Sequence, residues 1–258
     1  MSALAGSAMS WLPWARMLVA AAALAYASFL DVKTRLVPDS VWLASFPPVA
    51  ALLSLSALWG EAPPTIMAFS LGFMAAISAA TYFAGLAGSA DAIALMLLGA
   101  ALPSYPEGLP LLGDPLNQPA FAALCNSLIS TAPIPLMNLA LNLREAAKGR
   151  DPLRGIRVRG AAERLLLMLS ARRVSLDELK KGLYYFPAER LEGGERVPIL
   201  FSKAEWDFTD LLSEMEARRD LYADGVLAAP TLPMIVFLTI GLALTALGNL
   251  IFIPIKFL

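Results

Sequence analysis

Three apolar stretches follow one another at 14–30, 41–59 and 65–86, each within the range of about 17 to 25 residues that crosses a bilayer as a helix. Runs of that length constrain a chain more than any motif does, because their backbone polar groups must be satisfied inside the helix itself. Further apolar segments lie at 119–143 and 232–253, and a shorter one starts at Asp91 and meets Pro103. The expected fold is an all-α polytopic membrane protein of about six transmembrane helices. At 58% hydrophobic and 16% charged residues, the composition is too apolar for a soluble chain of this length.

Charge is concentrated in one place. Sixteen of the 20 Lys and Arg, and 15 of the 21 acids, lie within 144–224. This segment reads as a small α+β cytoplasmic domain inserted before the last helix, giving expected boundaries at 1–143, 144–229 and 230–258. Its near-neutral balance offers no footprint for nucleic acid. Within it, 161–172 reads as a helix, and Ser175 with Glu178 and Ser202 with Glu205 have capping-box spacing. Segments 182–187 and 196–201 flank Gly193-Gly194 and are expected to pair as a hairpin.

Orientation follows from the loops. Lys33, Arg35 and the basic-rich domain fall on one face, whereas the loops with Glu61, Glu107 and Asp114 carry no Lys or Arg, so the first face is expected to be cytoplasmic and both termini external. The first span has anchor length without a basic segment before it, and is expected to stay in the mature protein. Trp42 and Trp59 are placed for an interfacial belt. Asp39 or Ser40 suits a helix cap, with Pro38 before it. Gly72, Ala76, Ala80 and Ala84 recur every four residues, either as a small-residue packing stripe or as ordinary alanine filler. Pro133 and Pro135 should kink the fifth span. Asn126, Ser127, Ser130, Thr131 and Asn138 are expected to face other helices.

The chain has no histidine and one cysteine, Cys125. That excludes an internal disulfide, a Cys/His zinc site and any His-based nucleophile pair; neither a metal nor a cofactor is expected. Acid-base chemistry must then come mainly from carboxylates. Asp31 at the end of the first span and Asp91 at the start of the fourth fall at one membrane depth, because the two helices run in opposite directions. An acid amid membrane-embedded residues is costly and a functional candidate. If the two meet, one can activate water while the other, protonated, donates to a carbonyl. The alternatives are that Asp31 ends one helix and Asp91 caps another, or that both bind an ion in a proton- or cation-coupled transporter, for which no internal repeat is visible.

Two motifs narrow the choice. Asp31-Val-Lys-Thr-Arg-Leu-Val-Pro-Asp39, after Ala27-Ser28-Phe29-Leu30, resembles the aspartate segment closing the first helix of archaeal preflagellin and prepilin peptidases. Gly85-Leu-Ala-Gly-Ser-Ala-Asp91, followed by Leu97-Leu-Gly-Ala-Ala-Leu-Pro103, resembles their Gly-x-Gly-Asp segment, with Ala90 where the second glycine stands in the motif. Fainter similarity continues in Tyr185-Phe-Pro-Ala188 and Pro230-Thr-Leu-Pro-Met234. The resemblance implies a six-helix aspartic protease of the plasma membrane with Asp31 and Asp91 catalytic at the cytoplasmic face. It further implies cleavage of the basic leader from archaellin or type IV pilin-like precursors. Leader contacts would use acids, with Asp177, Glu178, Glu189, Glu192 and Glu195 as candidates. Arg150, Arg154, Arg157 and Arg159 would lie near anionic headgroups, and Tyr184, Tyr185 and Phe186 in the domain core or an interface.

Overall fold

In the computed structural model, which describes residues 10–182, 184–200 and 207–252, four helical stretches are long and apolar enough to cross a membrane. They are α1 (Trp11–Thr34), α2 (Asp39–Trp59), α3 (Pro64–Phe83) and the stretch Pro119–Ala147. This is the make-up of a membrane protein. Between them, α4 (Ser89–Ala101) has 13 residues, as short as its prolines predict. Its neighbour in sequence is the irregular segment 102–118. The fifth stretch is interrupted at Ala132, which keeps helical backbone angles: α5 (Pro119–Thr131) ends there and α6 (Pro133–Ala147) begins at Pro133, which has no N–H to continue the ladder.

The chain divides into two compact units, the first made of residues up to Thr131 and from Pro233, the second of Ala132–Leu232. In the first unit α4 packs against α1, α2, α3, α5 and a last helix, α10 (Met234–Leu244). Nearly every α4 residue after Asp91 is buried, as expected of a helix apolar all round. The packing face of α3 is Met67, Ser70, Met74 and Ser78. The small-residue stripe fails as a contact: Gly72, Ala76, Ala80 and Ala84 are all exposed. Close approach is made by Gly99 of α4, where a Cβ would stand 2.7 Å from Met74 Cβ. Ser70 Oγ donates to Gly99 O at 2.9 Å, replacing the bond that Pro103 cannot supply. Trp42 is buried in this unit's core, away from the surface position expected of it, whereas Trp59 is exposed.

The last apolar segment is helical over a shorter range than 232–253. After Leu244 the backbone turns away to pair with the segment following α4: Leu111 and Leu112 donate to Ala246 O and Leu247 O. Gly248, at φ +124°, lies against Gly113 where no side chain fits. Asn126 holds the same turn, donating to Gly248 O and accepting from Leu250 N.

In the second unit α7 (Ala161–Ser170) carries β1 (Arg172–Val174) and a short turn of helix, α8 (Leu176–Leu179), whose Glu178 N–H is capped by Ser175 Oγ at 3.1 Å. The Ser202–Glu205 pair lies outside the described residues. Strand β2 (Tyr185–Pro187) does not join the hairpin: β3 (Glu189–Glu192) and β4 (Glu195–Pro198) form it around Gly193-Gly194. Beyond α9 (Thr209–Ala217), strand β5 (Val226–Pro230) lies between β1 and β2, antiparallel to both. Its residues alternate between two cores, Leu227 and Ala229 with Leu167, Met168 and Ala188, and Val226 and Ala228 with Met215 and Tyr222, the period of two inherent to a strand. Asn142 and Asn138 donate to Met168, Ala171 and Leu169 carbonyls, satisfying the acceptors at the end of α7.

Candidate active site

Helix α1 runs four residues past the expected end at Leu30, so Asp31 stands inside its last turn. The turn is closed by Arg35, which adopts the left-handed conformation at φ 57° and donates its N–H to Asp31 O at 3.0 Å. Thr34 Oγ1 donates back to Leu30 O at 2.9 Å, and Lys33 lies over the Phe29 ring. One turn inward, Ser28 and Thr239 of α10 share a hydroxyl bond of 2.7 Å. Because Thr239 Oγ1 also donates to Ile235 O, Ser28 is the donor between them.

Asp91 is the third residue of α4, and its Oδ2 accepts the Gly88 N–H at 3.2 Å. The capping role weighed for it is therefore real, and it uses one of the four lone-pair positions of the carboxylate. Gly85 needs its glycine, at φ +72°. Ala90 does not: it lies in the first turn of α4 with helical backbone, packed against the core, where alanine is the most favourable residue. Replacing the motif glycine by Ala90 thus costs nothing in backbone conformation. Ser78 Oγ of α3 donates to Ala92 O at 2.7 Å and ties this end of α4 to α3.

The two expected site residues stand on neighbouring helices: α1 and α4 pack side by side, and both acids are partly buried. Asp39 is exposed in the first turn of α2, whose N-cap position is taken by Pro38. Among the described residues no group of three or more His, Cys, Asp or Glu is arranged to hold a metal ion.

Of the acids considered for a basic leader, Glu189 drops out, being fully buried against Arg196. Asp177, Glu192 and Glu195 are exposed but engaged with Arg219, Arg190 and Arg157. Tyr185 and Phe186 pack on the second unit's cores, while Tyr184 is exposed. Sequence reasoning missed the serines that hold α4, although Ser70 and Ser78 are eight residues apart, two helical turns, on the face opposite the small-residue stripe.

No curated protein and no solved structure matches the chain. Residues 18–136, the stretch that carries Asp31, Asp91 and all of α2, α3 and α4, match the model of the type IV leader peptidase family.

Proposed function

We propose that this protein is a membrane aspartic endopeptidase that removes the short basic leader from type IV pilin-like and archaellin precursors, with Asp31 and Asp91 as its catalytic pair. The observation that carries the reading is the match to a peptidase family over 18–136, a segment that contains both acids. The packing of α1 on α4 supports it, as does a sequence without histidine. In a dyad the carboxylates share one proton. The ionised partner takes a proton from water, the protonated one donates to the scissile carbonyl oxygen, and collapse of the tetrahedral intermediate returns a proton to the departing amine.

In this reading the chain makes six crossings, with α4 and α10 as the two short ones. Lys33, Arg35 and the basic segment 144–224 then lie on the cytoplasmic side with the two acids, where a precursor leader is presented before export. The test is cleavage of a precursor with a Lys/Arg-rich leader by membranes containing the protein. Asp31→Asn and Asp91→Asn should each lower the rate by at least about 10²-fold, with Asp39→Asn cutting normally. Retained cutting in either of the first two variants, at normal expression, rejects the pair.

A further inference from the structure

Arg16 is fully buried near the start of α1, four helical turns before Asp31. Every branch of its guanidinium is engaged. Nε donates to Ala101 O, the last residue of α4, at 3.2 Å. Nη1 donates to Glu61 Oε2 at 2.7 Å and to Ser56 Oγ, and Nη2 to Ser104 Oγ at 3.2 Å. Ser104 Oγ in turn donates to Glu61 Oε1 at 2.7 Å. One side chain thus joins α1, the end of α2, the α2–α3 loop and the end of α4.

A buried ion pair of this kind adds little net stability, since apolar residues of similar volume often serve as well or better. What it supplies is a fixed register. The Ala101 carbonyl has no partner within its own helix because α4 stops there, so the bond from Arg16 can form at one axial position of α1 along α4. A one-residue slip is about 1.5 Å and would break it. The helix that Arg16 grips at Ala101 is the one that begins at Asp91, about 15 Å away along its axis by the rise per residue.

We propose that Arg16 is a positioning residue: by holding the Ala101 carbonyl and the Glu61–Ser104 pair together, it sets the register of α1 against α4 and so the spacing of Asp31 and Asp91 at the other end of those helices. The inference rests on Asp31 and Asp91 being the catalytic pair. Two variants of the full-length chain separate positioning from stability. Arg16→Lys keeps the charge beside Glu61 but loses the forked donor geometry that reaches Ala101. The double variant Arg16→Met with Glu61→Leu replaces the ion pair with apolar bulk.

Both are expected to melt near the wild-type temperature, to keep KM within about twofold, and to lose kcat by about 10²-fold, the cost of a misplacement of about 1 Å. Spin labels at Val32→Cys and Met96→Cys, both exposed positions on α1 and α4, in a Cys125→Ser background, should show a broader distance distribution in both variants. Wild-type cutting in either variant overturns the proposal, as does slowed cutting with an unchanged distance distribution. Failure of the double variant to fold also overturns it, since the pair would then be a stability element. A wild-type chain that cuts no leader-bearing precursor refutes the peptidase reading instead, and the label distances still decide whether Arg16 sets the register.

Discussion

Arg196 concentrates the polar energetics of the second unit in one side chain. It meets Glu189 through two bonds of 2.6 and 2.7 Å, Asp224 at 3.0 Å, and the Leu221 and Gly225 carbonyls, while its guanidinium lies 4.8 Å from the Tyr222 ring centroid. Glu189 also accepts the Leu227 N–H of β5 at 2.6 Å. Removing Glu189 would leave both Arg196 and that amide short of a buried partner. Glu189→Ala is therefore expected to cost about 3–5 kcal/mol in denaturant unfolding of the full chain. Tyr222 is the opposite case. Its buried hydroxyl has no hydrogen-bond partner among the described residues, and burial followed by the Glu189 charge pushes the phenol up to about 12. Tyr222→Phe should leave stability unchanged or raise it by up to about 1 kcal/mol, measured by the same titration. Both residues looked ordinary in the sequence, Glu189 one acid among several on a charged domain; burial is set by which strand pairs with which, and no local pattern carries it.

At the scale of elements, the helices of the first unit are held by backbone approach at glycines. A Cβ on Gly241 of α10 would stand 2.2 Å from Ala123 O and 2.7 Å from Ser127 N of α5, while one on Gly72 of α3 would meet nothing within 4 Å among the described residues. Gly241→Ala should destabilise the protein by about 1–3 kcal/mol through forced separation of α10 and α5. Gly72→Ala should instead stabilise it by about 0.5–1 kcal/mol, the ordinary gain in a helix interior. Thermal unfolding in detergent compares them directly. The four-residue spacing of Gly72, Ala76, Ala80 and Ala84 was legible as a stripe, but a stripe does not say whether a helix or lipid lies against it. Helix existence was legible for every apolar stretch, since length and composition decide it. The end of α10 was not: it falls where Leu111 and Leu112 claim the carbonyls of residues more than a hundred positions away. Likewise β2 joined β5 rather than the hairpin turn next to it, because β5 buries both faces and needs a partner on each edge.

For the whole molecule, the two ends of the α1–α4 pair differ in kind. At one end is the Arg16–Glu61 network, whose response to acid has a defined sign. Burial would raise the Glu61 carboxyl, but hydrogen bonds from Arg16, Ser104 and Ser56 and the Arg16 charge outweigh it and hold the group below its ordinary 4.5. A depressed value in the folded state contributes stability above the unfolded value and loses it as pH falls through the folded one. Thermal melts of wild type and Glu61→Gln should therefore differ by a constant amount near neutral pH, and the gap should close as pH is taken below 4.5. At the other end are Asp31 and Asp91, which were legible as acids at matching helix ends because helix direction alternates along a polytopic chain. From its sequence alone the chain had to be a helical membrane protein with a charged segment set apart, since long apolar runs leave the backbone no other way to satisfy its hydrogen bonds. Which faces of those helices meet, that α1 touches α4 at all, and that a lone arginine in an apolar helix finds a glutamate 45 positions on were decided by tertiary packing, because these contacts depend on side-chain shape and on partners far away in the chain.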